Sequence, residues 1–173
     1  MKKTFILKRT TTKDQTVAGI TCMPDMDAFL MKSAEKLAQL DCENMPLLMK
    51  FLRAMQESKA TSAPFVAQNI TDFVTWYSSK ALSPFQPEFL SSDILAEHIV
   101  RMSMFSDGFF RFTGCFNESL SKCMDEILDY IDDVIEIYAE CYNRTVKMEA
   151  ALAQQIAAKA NTCNGNCSCH DNK

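Results

Sequence analysis

The sequence predicts an all-α protein, a helical bundle of four to five helices with one long C-terminal helix and a short β-hairpin at the N-terminus. Three observations carry that prediction. Residues 117–160 place apolar side chains at Leu120, Met124, Ile127, Ile131, Val134, Tyr138, Cys141, Met148 and Leu152. Their steps of three and four are those of a helix lying lengthwise against other helices. Glycine and proline are scarce, four and five in 173 residues, which leaves little material for turn-rich sheets or glycine-rich phosphate loops. Segments with helical spacing and recognisable start signals also fill the chain between residue 23 and this helix.

Residues 1–22 stand apart from the rest. Five basic residues (Lys2, Lys3, Lys8, Arg9, Lys13) face one acid, Asp14, in a chain of net charge −4. Lys3 to Arg9 and Thr16 to Cys22 are rich in Thr, Val, Ile and Phe, and residues 12–15 can turn between them. A hairpin and a basic arm are both consistent with this stretch. Its apolar run, Phe5-Ile6-Leu7, is shorter than the seven or so residues of a secretory signal. A cytoplasmic location is therefore expected.

The bundle is expected over residues 23–160. Asp25 or Asp27 opens a first helix ending near Asp41, and Pro46 starts a short second one in its first turn. Ser62-Ala63-Pro64 begins a third, with Phe65 or Val66, Ile70, Phe73 or Val74 and Tyr77 on its inner face. Ser83-Pro84-Phe85-Gln86-Pro87 breaks the chain. Ser92-Asp93 caps a fourth helix, which Gly108 ends. An aromatic connection follows, containing Phe109, Phe110 and Phe112, which either plugs the end of the bundle or offers a contact surface. Asn117 or Ser119 then caps the long helix. Beyond Asn143 that helix turns alanine-rich, so its last turns are expected to project from the bundle or meet a second copy.

Several function classes are excluded or disfavoured. The acidic balance, with an isoelectric point near 5.2, argues against a nucleic-acid or membrane-surface binder. No apolar run reaches the ~20 residues of a membrane span. Phosphate-loop, G-x-S-x-G and H-E-x-x-H patterns are missing, so no enzyme is expected. His98, among Leu95, Met102 and Phe105, reads as a hydrogen-bonded histidine at the edge of the core.

Two features point toward function. Between residues 117 and 142 eight acids stand against Lys122 alone. Asp125, Asp129, Asp132, Glu136 and Glu140 fall opposite the apolar seam, as a solvated face or as a docking stripe for a basic protein partner. The expected activity is accordingly non-catalytic: binding of another macromolecule through the acidic face, the aromatic loop or the projecting helix end. The tail, residues 161–173, holds Cys163, Cys167, Cys169 and His170, three thiols and an imidazole within eight residues. Such soft ligands suit zinc or copper(I), so metal handling is the alternative. The remaining cysteines are expected as small core residues at Cys123 and Cys141, near helix ends at Cys42 and Cys115, and at the end of a possible strand at Cys22.

Overall fold

The computed structural model describes residues 25–86, 89–112 and 116–163, with side chains through residue 160. Four helices make up the bundle: α1 (Met26–Glu57), α2 (Ala63–Lys80), α3 (Ser92–Phe110) and α4 (Glu118–Cys163). A single 3-10 turn, Ser83–Phe85, lies between α2 and α3. Residues 1–22, with the expected hairpin, lie outside the described residues.

Short connections make successive helices antiparallel, in an up-down-up-down order. Cross-helix contacts fix the alignment. Arg144 of α4 lies over the Phe29 ring of α1 at 4.0 Å, and Phe51 meets Phe116 edge to face at 6.3 Å. Phe73 of α2 packs edge to face on Phe105 and Phe109 of α3. Gly108 permits the close approach there, because a Cβ at that position would lie 3.1 Å from the Asn69 amide nitrogen. At the opposite end, Glu149 of α4 reaches the start of α3. Its carboxylate accepts the Ser92 hydroxyl at 2.6 Å and the Ser92 backbone N–H at 3.3 Å. This anion at a helix N-terminus also complements the dipole.

The first correction to the sequence reading is α1. Two short helices were expected, and one helix of 32 residues with Pro46 inside it is found. Proline removes one backbone donor and crowds the preceding turn, at a cost of about 3 kcal/mol. Here the apolar stripe runs straight through, with Leu37 before the proline and Leu48, Phe51 and Met55 after it all in the core. Burying each such side chain is worth roughly 1.5–3 kcal/mol, so continuous packing outweighs the local defect. Pro46 itself is exposed, which keeps its missing N–H out of the core.

The α3 end is the second correction. Gly108 lies within the helix, which continues to Phe110. Phe109 is therefore carried into the core, 1% exposed, while Phe110 on the next position is 66% exposed. Smaller differences follow at the caps. Ser91, one residue before the expected cap, accepts the Ile94 N–H at 3.3 Å. Asn117 caps α4 as expected, accepting the Leu120 N–H at 3.1 Å. Val66 faces the core and Phe65 is exposed. Cys42, expected near a helix end, lies inside α1 and is exposed, whereas Cys141 is fully buried.

Helix α4 spans 46 residues, about 69 Å at 1.5 Å per residue. The seam from Met124 through Ile127, Ile131, Val134, Tyr138 and Cys141 is buried against α1 and α3. Thr145 continues it with a buried hydroxyl that finds no hydrogen-bond partner. Met148 is its last buried position. From Ala150 to Ala160 only Leu152 is even half-buried, so the end of the helix projects as expected.

Candidate functional site

At the centre of the bundle α1 contributes a polar residue, Asp41, to an otherwise apolar stripe. The spacing of Leu30, Leu37 and Leu48 puts Asp41 on the inner face of α1, one turn after Leu37. Its Oδ1 accepts the Tyr77 hydroxyl of α2 at 2.8 Å and the Tyr130 hydroxyl of α4 at 2.7 Å. Both tyrosines are 2% exposed. A buried phenol needs a partner for its O–H, and one half-buried carboxylate serves two of them.

The C-terminus of α2 is closed by the two remaining helices. The last carbonyls of a helix have no partner within it. The Tyr138 hydroxyl of α4 donates to the Ala81 carbonyl at 2.8 Å. His98 of α3, 5% exposed, places Nε2 at 3.2 Å from the Lys80 carbonyl and Nδ1 at 2.8 Å from the Ile94 carbonyl. The Trp76 ring lies 5.1 Å from His98, and Arg101 lies over Trp76 at 5.6 Å. His98 is thus a core histidine bonded to backbone, as its apolar company predicted.

Burial, reinforced by the neighbouring Tyr130 and Asp41, pushes the Tyr77 phenol far above its ordinary range. Burial likewise raises Tyr130 and Tyr138. The Cys141 thiol is pushed up to about 11 by burial, against the opposing effect of a hydrogen bond with Ser33. All these shifts favour the neutral forms. Such groups hold the fold together and are poorly suited to act as bases or nucleophiles.

The opposite face of α4 carries the acids. Asp125, Asp129, Asp132, Glu136 and Glu140 are all exposed, as are Glu126 and Asp133, and they line the side away from the seam. Among the described residues none of these seven is held by an ion pair. At the boundary between α1 and α4 the stripe borders an open groove of about 280 Å³. Lys36, Gln39, Leu40 and Glu43 of α1 and Asp133, Glu136 and Ile137 of α4 line it. Three carboxylates surround an apolar floor of Leu40 and Ile137, with one ammonium among them. That combination fits an aliphatic stem ending in a cation.

Of the three phenylalanines singled out from the sequence, Phe109 belongs to the core and only Phe110 is open to solvent, while Phe112 is half-buried. The three therefore do not form one exposed surface. The tail ligands Cys167, Cys169 and His170 lie outside the described residues, and Cys163 is the last residue of α4. Among the described residues no three of His, Cys, Asp and Glu are grouped to hold a metal ion. Sequence reasoning missed Asp41 as the shared acceptor of Tyr77 and Tyr130. The signal lay in the tyrosines, since Tyr77 on α2, and Tyr138 in the seam of α4 with Tyr130 flanking it, all sit on buried faces where a hydroxyl demands a partner.

The fold and site together define an all-α four-helix bundle with a tyrosine–carboxylate core and one long acidic face. Comparison with protein-family models, curated proteins and solved structures returned no match.

Replacing Asp41 with alanine should leave two buried phenols without an acceptor and destabilise the bundle by about 2–4 kcal/mol in denaturant melts. Adding Tyr77→Phe and Tyr130→Phe should recover more than half of that loss, because the stranded hydroxyls are removed as well. Equal stability of Asp41→Ala and the parent would contradict the assigned role.

Proposed function

We propose that the protein acts by binding another macromolecule, a protein partner that presents a basic surface to the acidic face of α4. The observation that carries this reading is the row of seven exposed carboxylates, none held by an ion pair among the described residues, beside the Leu40–Ile137 groove. Like charges along one helix repel each other, and a cationic partner relieves that repulsion on docking. The groove gives the stripe one specific point, where the stem of a lysine or arginine packs on Leu40 and Ile137 and its head meets Glu43, Asp133 and Glu136. On this reading the protein is a non-catalytic adaptor or regulator of the cytoplasm. Among the described residues no helix is long and apolar enough to cross a membrane. Self-association through the projecting end of α4 is part of the same proposal.

The test is affinity capture with parent protein and an Asp129→Lys, Asp132→Lys, Glu136→Lys variant side by side. The expected result is a basic partner held by the parent at low salt, weakened as salt rises, and lost from the variant. A variant of unchanged melting temperature that retains the same partner would overturn the proposal.

A second reading rests on the tail, where Cys163, Cys167, Cys169 and His170 offer soft ligands for zinc or copper(I). Thiols lose protons to ligate, so affinity should weaken as pH falls below about 6. Elemental analysis of reduced full-length protein beside a form ending at residue 160 checks it. Stoichiometric metal in the longer form alone is expected, and negligible metal in both would eliminate this reading.

A further inference from the structure

The two parts of the chain carry opposite charge. In residues 1–24, Lys2, Lys3, Lys8, Arg9 and Lys13 stand against Asp14, a net of +4, so in a chain of net −4 the remaining residues carry −8. The fold brings the start of the second part close to its acids. Arg144 of α4 lies over Phe29 of α1, so the chain enters α1 beside the point where α4 passes residue 144. From there Glu140, Glu136, Asp133 and Asp129 follow along α4 at steps of four and three, as one exposed line. At Asp133 and Glu136 that line borders the groove floored by Leu40 and Ile137. In the groove Glu43, Asp133 and Glu136 stand against Lys36 alone, which leaves two negative charges uncompensated. Glu43 accepts Gln39 Nε2 on one oxygen at 3.3 Å, and its second oxygen keeps its acceptor capacity.

We infer that residues 1–24 of the same chain cover this groove, with the Lys8–Arg9 pair seated among Glu43, Asp133 and Glu136. Two adjacent cations match the two uncompensated charges. The stem of one packs on Leu40 and Ile137, and the head of the other meets the carboxylates at the rim. Chain length permits the contact. Lys36 and Glu43 lie about 17 and 27 Å along α1 from Asp25. The stretch from Lys8 to Asp25 can span up to about 56 Å. A covalently joined segment competes at an effective concentration on the order of millimolar, which an untethered basic protein does not match. The groove is therefore occupied by the chain itself until a stronger basic partner displaces it. The inference rests on reading the groove as a site for a cation, and it makes access to that site self-regulated.

Zero-length carbodiimide cross-linking of the full chain, read by peptide mass, tests it. A link from Lys8 to Glu43, Asp133 or Glu136 is expected, formed within one copy in mixtures of isotope-labelled and unlabelled protein. Its yield should fall about fivefold as salt rises to about 0.5 M, because the groove is open to solvent. In an Asp133→Lys, Glu136→Lys variant of unchanged melting temperature, the Lys8 link to Glu43 should fall about tenfold. Lys8 links spread evenly over Asp93, Glu97 and Asp107, which are exposed on α3, would overturn the inference. Links found only between copies of different mass would overturn it as well. A nonalysine peptide separates this inference from the reading beneath it. Nonalysine bound by the parent and lost from the variant, with no Lys8 link in the parent, would leave the cation site standing and remove residues 1–24 from it. Equal binding of nonalysine to parent and variant, again with no Lys8 link, would overturn both.

Discussion

One carboxylate organises this bundle. Asp41 receives hydroxyls from α2 and α4, so three of the four helices meet at a single acceptor. Apolar packing is tolerant of rotation and sliding, whereas a hydrogen bond to a buried phenol is not. Fixing Tyr130 on Asp41 sets the rotation of α4, and Tyr138, about two turns further on, repeats the constraint at the end of α2. With those two side chains held inward, the residues opposite them on α4 can only face solvent. The acidic stripe is thus the other side of the same constraint that assembles the core. His98 adds the fourth helix by bonding the Lys80 carbonyl.

Much of this was legible in the sequence, for a physical reason. The seam of α4 repeats over many turns without interruption, so its inward and outward faces follow from spacing alone. The projecting end was legible from the change to alanine, which offers little to bury. At α1 the local and long-range signals conflict. Pro46 locally favours a break, and the core residues on both sides of it favour continuity. Only the packed structure decides between them. That misreading concealed the central site, because ending the first helix near Asp41 made the aspartate a terminal residue. Read through Pro46, the stripe Leu30, Leu37, Leu48, Phe51 and Met55 encloses Asp41, and its position beside the core is apparent. Phe109 and Phe110 differ by a single helical step, so extending α3 by less than one turn decides which of them is buried.

The long helix therefore presents three surfaces with separate physical characters. Its inner seam is committed to the bundle. Its outer face is a charged row with one shaped groove, suited to a partner whose approach is guided by charge. Its far end is apolar along one line and short of neighbours. The outer face points away from the seam, while the far end continues the seam line beyond the bundle.

The central claim, that buried phenols held by acceptors keep the helices in place, is tested most directly by alkaline titration. Tyr77, Tyr130 and Tyr138 have raised values in the folded state and ordinary ones, near 10, when unfolded. Their contribution is therefore fully present below pH 10 and is lost as pH rises beyond it, by roughly 1.4 kcal/mol per pH unit for each phenol. Phenolate absorbance and helical ellipticity should be followed together. The account predicts that Tyr77, Tyr130 and Tyr138 ionise only as the helical signal collapses, in one cooperative step above pH 10. Reversible ionisation of these three near pH 10 with the helices intact would contradict it.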